Sequence, residues 1–275
     1  SSPGQQWLAV STNGVFLYDP LDIANPIQVS KYAPNIIAFS WDGEMLLYAD
    51  EYDVYVWGIA AQKSLGARGE TRDLDGNFWG MTMLADNNSI VTINTGISMW
   101  HLDGGRYEEE RIRPVWEDGS SSNVVASSSA GHLAVGARDH GTVTVWQLEG
   151  DSLRLLYDFT RLGESMTELA FSADGHFLAA VSEGEEIHLW DLETGAHLRF
   201  SAKERISDIA FSPDGKIVAT SALSGIIELW DVGEGKLLRE VVDKRNAENI
   251  LFSPDGTLLV SVGGKHRLTF WGISE

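Results

Sequence analysis

The sequence has no cysteine. Disulfides are excluded, and so are zinc or iron–sulfur centres held by thiolates. Such a composition is permitted in a reducing cytosol, the favoured location, and in an exported one. Cationic side chains are scarce. Twenty Lys and Arg stand against 40 Asp and Glu, giving a formal net charge of −20 and a pI near 4.6. Nucleic-acid binding draws on cationic groups that displace counterions from phosphates. No run of four basic residues is present, so a nucleic-acid partner is disfavoured. The excess of carboxylates favours solubility, cationic partners or metal ions. No apolar stretch reaches the length needed to span a bilayer, and the first residues do not read as a signal sequence. Helical periodicity is also missing: no useful window repeats apolar residues every 3.6 positions.

What the chain does have is self-similarity. Six of its ten tryptophans close a short alternating run, as in Val54-Tyr55-Val56-Trp57, Ile187-His188-Leu189-Trp190 and Ile227-Glu228-Leu229-Trp230. Trp100, Trp146 and Trp271 complete the column, at successive spacings of 43, 46, 44, 40 and 41 residues. A seventh member lies 39 residues before Trp57, where Tyr18 follows Val15-Phe16-Leu17. A second column fixes the register. Phe39-Ser40-Trp41-Asp42-Gly43, Phe171-Ser172-Ala173-Asp174-Gly175, Phe211-Ser212-Pro213-Asp214-Gly215 and Phe252-Ser253-Pro254-Asp255-Gly256 each precede a tryptophan by 18 or 19 residues. Proline presets φ, and Asp-Gly tolerates left-handed geometry, so these segments read as tight turns between strands.

Each unit therefore reads as strand, turn, strand, short loop, strand ending in Trp, then a Gly-containing turn such as Glu193-Thr194-Gly195 and a fourth strand. Four strands per unit of about 40 residues predict an all-β fold, a seven-bladed β-propeller of four-stranded antiparallel blades. A sandwich or solenoid is the alternative. The expectation is one domain over 1–275, with repeats at approximately 1–30, 31–66, 67–112, 113–157, 158–200, 201–241 and 242–275. A chain of this size hides about three quarters of its unfolded surface and needs no covalent staples.

These residues resemble the WD-repeat family. The Trp-Asp dipeptide itself occurs at Trp190-Asp191 and Trp230-Asp231. The resemblance covers nearly the whole chain and is strongest in repeats five to seven. There are departures: Gly58, Gln147 and Gly272 follow their tryptophans, and the family's Gly-His dipeptide is absent. Family members often link that His to an Asp in the second inter-strand loop, then to Ser or Thr and to Trp. Only Asp139 and Asp50 offer such an Asp, so apolar packing is expected to hold most blades. The first and last blades are incomplete in sequence. The first repeat lacks its innermost strand, and the last stops after its third, at Trp271. In the family the N-terminal segment usually supplies the last blade's outer strand. The resemblance thus implies a native product longer at its N-terminus, by roughly 15–20 residues on the repeat's own length.

Catalytic chemistry finds little support, and no catalytic, cofactor-binding or metal-ligating residue is assigned. No two of the seven histidines share a metal-ligand spacing on a helix. His188 alternates within a strand and reads as structural. Asp73-Leu74-Asp75-Gly76-Asn77 only partly matches a calcium loop, because the third acidic position and the distal Glu are missing. Asp50, Glu51 and Asp53, and likewise Glu183, Glu185 and Glu186, are acidic clusters that read as solvated loop tips. The serine runs at 120–122 and 127–129 contain no nucleophile motif. Phosphate-cradling glycine loops are absent. No cofactor is expected.

A partner surface is the stronger reading. The resemblance implies that partners approach the side bearing the second-to-third-strand loops and the starts of the first strands. Aromatic residues and arginine supply most interface hot spots. Tyr52, Phe78, Trp79, Trp116, His140, Arg205, Arg245 and His266 are the expected contacts there, with Trp41 a lesser contact on the opposite side. Trp79 and Trp116 have a second reading as plugs or braces of long loops. The expected function is a non-catalytic scaffold that presents propeller loops to a protein or peptide. The alternative is a propeller enzyme, or a sensor of a small ligand or cation in the central channel.

Overall fold

A computed structural model of the chain describes residues 7–11, 13–19, 22–34, 36–49, 53–67, 79–93, 97–103, 106–112, 122–137, 141–160, 162, 165–244, 246–263 and 267–273. The described residues form 26 strands in seven antiparallel sheets, the blades of a seven-bladed β-propeller. Blade 1 holds β1 (Leu8–Ser11), β2 (Val15–Asp19) and β3 (Asp22–Ser30). Blade 2 holds β4 (Ile36–Phe39), β5 (Met45–Ala49), β6 (Val54–Gly58) and β7 (Lys63–Ala67). Blade 3 holds β8 (Gly80–Met83), β9 (Ser89–Ile93), β10 (Ile97–Asp103) and β11 (Arg106–Ile112). Blade 4 holds β12 (Ser122–Ser127), β13 (His132–Ala137), β14 (Val143–Glu149) and β15 (Ser152–Phe159). Blade 5 holds β16 (Met166–Phe171), β17 (Phe177–Ser182), β18 (Glu186–Asp191) and β19 (His197–Ser201). Blade 6 holds β20 (Ile206–Phe211), β21 (Ile217–Ala222), β22 (Ile226–Asp231) and β23 (Leu237–Val242). Blade 7 holds β24 (Asn249–Phe252), β25 (Leu258–Gly263) and β26 (Arg267–Gly272).

The strands of each blade pair in chain order, so each blade is a meander. Among the described residues blades 1 and 7 hold three strands each, as their sequences predict, and the others four. Among the described residues no helix is long and apolar enough to cross a membrane. By internal contacts the chain forms two compact units, Ser1–Ser127 and Ser128–Glu275.

The turn motif has a physical basis that recurs. In blade 6, Ser212 Oγ donates to Asp214 Oδ1 at 2.7 Å and accepts the Ile217 N–H at 3.0 Å, while Asp214 also accepts the Lys216 N–H. Gly215 then takes φ +70°, a region that disfavours a Cβ. The same Ser-to-Asp bond recurs at Ser40–Asp42, Ser172–Asp174 and Ser253–Asp255. It holds the carboxyls of Asp174, Asp214 and Asp255 below the usual aspartate range, chiefly through the serine hydroxyl and backbone N–H donors. For Asp174, burial is a larger influence but opposes that lowering.

The core lies between successive blades, because a central strand sandwiched by neighbouring sheets is apolar on both faces. In the first unit, Leu47, Val54 and Val56 pack against Met81, Met83, Ile90 and Trp100. In the second, Ala179, Val181, Ile187 and Leu189 pack against Ile206, Ile209, Val218 and Trp230. Each buried Leu, Ile or Val contributes roughly 1.5–3 kcal/mol of transfer free energy.

Candidate functional site

The column tryptophans are anchored by hydroxyls as well as by packing. Trp100 Nε1 donates to Thr92 Oγ1 at 2.8 Å, Trp230 Nε1 to Thr220 Oγ1 at 3.1 Å, and Trp271 Nε1 to Ser261 Oγ at 3.0 Å. In each case the hydroxyl stands on the preceding strand, two residues beyond the position paired with the tryptophan. Blade 4 has Val135 at that place, and Trp146 uses Thr144 of its own strand instead, at 3.1 Å. Apolar packing between blades is as expected, and the Trp-to-hydroxyl link is added to it where the sequence lacks the His. Asp50 and Asp139 lie outside the described residues.

Trp41 has a structural role beyond its own blade. It is half-buried, and its indole N–H donates to Met83 O at 3.0 Å and to Ser127 Oγ at 3.2 Å. Ser127 Oγ in turn donates to Met83 O at 2.7 Å. Both bonds reach other blades of the first unit, so Trp41 braces the turn side.

His188 is buried, as its strand alternation predicts. Its Nδ1 stands 3.1 Å from His197 Nε2, and its ring stacks with those of Trp190 and His197. Burial lowers its pKa, against the pull of Glu186, whose carboxylate lies 3.3 Å from Nε2. These contacts describe a stacked structural histidine. Among the described residues no three His, Asp or Glu converge as metal ligands do.

Two further carboxyls sit at equivalent positions of neighbouring inner strands. Glu168 on β16 and Asp208 on β20 each follow a bulge in the same register. Burial, then the charge of Asp208, pushes the Glu168 carboxyl up to about 8. Burial raises Asp208 to about 6, against backbone N–H donors from Ile250 and Ile209. Asp208 ties blade 6 to blade 7, accepting the N–H of Ile250 on β24 at 2.8 Å.

Of the eight expected contact residues, Trp79 and Arg205 are described. Tyr52, Phe78, Trp116, His140, Arg245 and His266 lie outside the described residues. Trp79 directly precedes β8 in the first unit; its N–H donates to Ile93 O, and the side chain is 40% exposed. Arg205 directly precedes β20 in the second unit. It is exposed, and its guanidinium lies 3.6 Å from Glu183 in the β17–β18 loop.

Three features of these loops were not anticipated from sequence. Leu223, in the β21–β22 loop of the second unit, is 62% exposed. Its signal was a leucine between Ser-Ala and Ser-Gly, where a polar turn residue is usual. Tyr32 follows β3 in the first unit and is 78% exposed. Beside it is a pocket of about 280 Å³, formed by the β3–β4 connection with Tyr48 and Tyr55. Tyr48 and Tyr55 stack with centroids 4.9 Å apart and planes inclined by 12°. Tyr32 is fixed by its backbone: its N–H donates to Ser30 Oγ, which donates back to Tyr32 O, both at 3.1 Å. The sequence signal was Lys31-Tyr32-Ala33-Pro34, an aromatic and a proline where only a short link between repeats was needed.

Comparison with known proteins agrees with this architecture. Residues 159–191 and 195–231 match the family described as WD domain, G-beta repeat. No curated protein matches the chain by sequence. The β-propeller domain of Cps50 (Swd1) from Myceliophteria thermophila is similar in fold, with a TM-score of 0.82 at 16% identity, covering 99% of this chain and 95% of that one. A chain of the Mitotic Checkpoint Complex gives a TM-score of 0.81 at 14% identity, covering 100% and 86%. The computationally designed Ika8 protein gives 0.72 at 21% identity, covering 98% and 81%. The repeated Trp column, the seven meander sheets and the two matched repeats together make this chain a seven-bladed β-propeller that carries WD-domain repeats at 159–191 and 195–231.

Proposed function

We propose that the chain is a non-catalytic interaction scaffold that presents its inter-strand loops to a protein or peptide partner. The observation that carries this reading is the exposure of Trp79 and Leu223 on such loops. A tryptophan left two-fifths bare is a costly surface residue unless something covers it, and bare aromatic anchors are typical of interface centres. Arg205 adds an exposed guanidinium on the corresponding connection of the second unit. Tyr52, Phe78, Trp116, His140, Arg245 and His266 extend the proposed surface. The membership of one structural neighbour in the Mitotic Checkpoint Complex fits a role in protein assembly. The net charge of −20 favours a partner with a basic surface and steers its approach at low salt.

The test is affinity capture from the source cells with the wild-type chain, Trp79→Ala and Arg205→Glu in parallel. A protein retained by wild type and lost from Trp79→Ala, with the melting temperature unchanged, supports the reading. Equal capture by both overturns this surface.

A further inference from the structure

The pocket beside Tyr32 has a chemical character of its own. Val29, Pro34 and the rings of Tyr48 and Tyr55 form its apolar wall, and Ser30, Lys31 and Tyr32 stand at its rim. It is slightly smaller than a cavity for a drug-sized molecule, which starts at about 300 Å³. Its capacity suits one or two side-chain-sized groups.

The rim decides what those groups are. Lys31 is the one charged side chain lining the pocket, is exposed, and forms no ion pair among the described residues. Its ammonium donates three hydrogen bonds and accepts none. The Tyr32 hydroxyl is a second donor reaching out from a ring that is 78% exposed. Ser30 already spends its hydroxyl on Tyr32 O. Three tyrosine rings in one place would ordinarily suit a cation held against their faces. Here a second ammonium would meet Lys31, and among the described residues no carboxylate lines the pocket: Asp53 lies behind Tyr55, whose hydroxyl it accepts at 3.4 Å. The complementary ligand is apolar in bulk, rich in acceptors and poor in donors.

Proline meets those requirements because it has no N–H to satisfy. A polyproline II backbone makes no internal hydrogen bonds, so its carbonyls are free to accept. Such segments are also stiff before binding and lose little entropy on aromatic surfaces. We propose that this pocket docks a proline-bearing extended segment of a partner protein, with a carboxylate next to the proline reaching Lys31. The inference rests on the scaffold reading and narrows the partner's chemistry at one pocket of the first unit.

The experiment uses the full chain and three fluorescein-labelled peptides: an oligoproline carrying one aspartate, the same oligoproline carrying lysine instead, and a proline-free trimethyl-lysine peptide. Fluorescence anisotropy is expected to saturate for the aspartate oligoproline. Tyr32→Ala weakens that binding by about fivefold or more, a hot-spot loss. Lys31→Glu reverses the preference between the aspartate and lysine peptides. Trp79→Ala leaves peptide binding unchanged, so failure of the pocket and failure of the wider scaffold surface are read separately. No saturation with the aspartate oligoproline, equal affinity in Tyr32→Ala, or tighter binding of the trimethyl-lysine peptide would each overturn the proposal.

Discussion

Trp271 donates its indole N–H to Ser261 Oγ at 3.0 Å, and Ser261 donates in turn to Asp243 Oδ2 at 2.8 Å. Ser261 is fully buried and Asp243 is 4% exposed. The resemblance to WD repeats implies such a carboxylate in a second-to-third-strand loop. Asp243 arrives instead from the segment that follows β23 and leads into blade 7. Ser261→Ala removes the middle of this relay and withdraws a donor from a buried carboxylate. A buried polar group deprived of its partner costs about 1–3 kcal/mol. Urea denaturation should show a loss of that size, and Ser261→Thr, which keeps the hydroxyl, a smaller one. Equal losses for the two variants would mean that packing, not the relay, matters at this position.

Trp57 and Trp230 occupy the same column with different polar surroundings. Trp230 has Thr220 as acceptor, whereas Tyr48 stands at the matching place beside Trp57, whose indole N–H has no hydrogen-bond partner among the described residues. Trp57→Phe thus removes an unsatisfied donor along with ring volume, while Trp230→Phe breaks a bond and orphans a buried hydroxyl. Trp230→Phe should cost more by about 1 kcal/mol, the net worth of one hydrogen bond. Matched denaturation curves check the difference, and a larger loss at Trp57 would contradict the assignment.

Periodicity reveals some features of this fold and hides others. The tryptophan column and the Ser-x-Asp-Gly turns were legible because packing between sheets repeats them at a fixed interval. The three-stranded blades 1 and 7 were legible for the same reason. The hydroxyl partners were harder to see, since Thr144 precedes its tryptophan on the same strand while Thr220 lies across from it. The bracing role of Trp41 was not legible, because its side chain crosses to other blades and no local pattern encodes a bond to Met83 or Ser127. Tyr32 and Leu223 sit in connections whose sequence obeys no repeat. Their exposure depends on what neighbouring loops leave uncovered, a tertiary property.

Glu168 and Asp208 give stability a pH dependence opposite to that of ordinary ion-paired carboxylates. Both have folded-state pKa values above their usual ones, Glu168 at about 8 and Asp208 at about 6. The native state holds these protons longer than the unfolded chain does. Their stabilising effect is therefore complete below pH 4 and is lost as pH rises through 6 and then 8. Glu168→Gln removes the larger part of this dependence. Thermal unfolding from pH 5 to pH 8 should show the variant gaining on wild type as pH rises, by on the order of 1–3 kcal/mol at pH 8. Parallel profiles for the two proteins would rule out a raised Glu168 pKa.

Gly225 locks the segment that carries Asp243. Its N–H donates to Ala222 O at 2.8 Å, and its carbonyl accepts the Asp243 N–H at 2.7 Å. Its φ is +93°, and a Cβ added there would lie 1.8 Å from the Asp243 carbonyl oxygen. Substitution by alanine therefore combines a left-handed backbone penalty of about 1–2 kcal/mol with a clash against main chain that cannot rotate away. Gly195 is the natural control, with φ +74° and nothing within 4 Å of an added Cβ. Gly195→Ala should cost about 1 kcal/mol and Gly225→Ala about 3 kcal/mol or more, read by urea midpoint at constant m-value. Because the clash displaces Asp243, part of that loss is the Ser261 relay. Gly225→Ala and Ser261→Ala combined should then destabilise by less than the sum of the two, since residues sharing one network do not add. Strict additivity would show that Asp243 stays on Ser261 even when its own carbonyl is pushed aside.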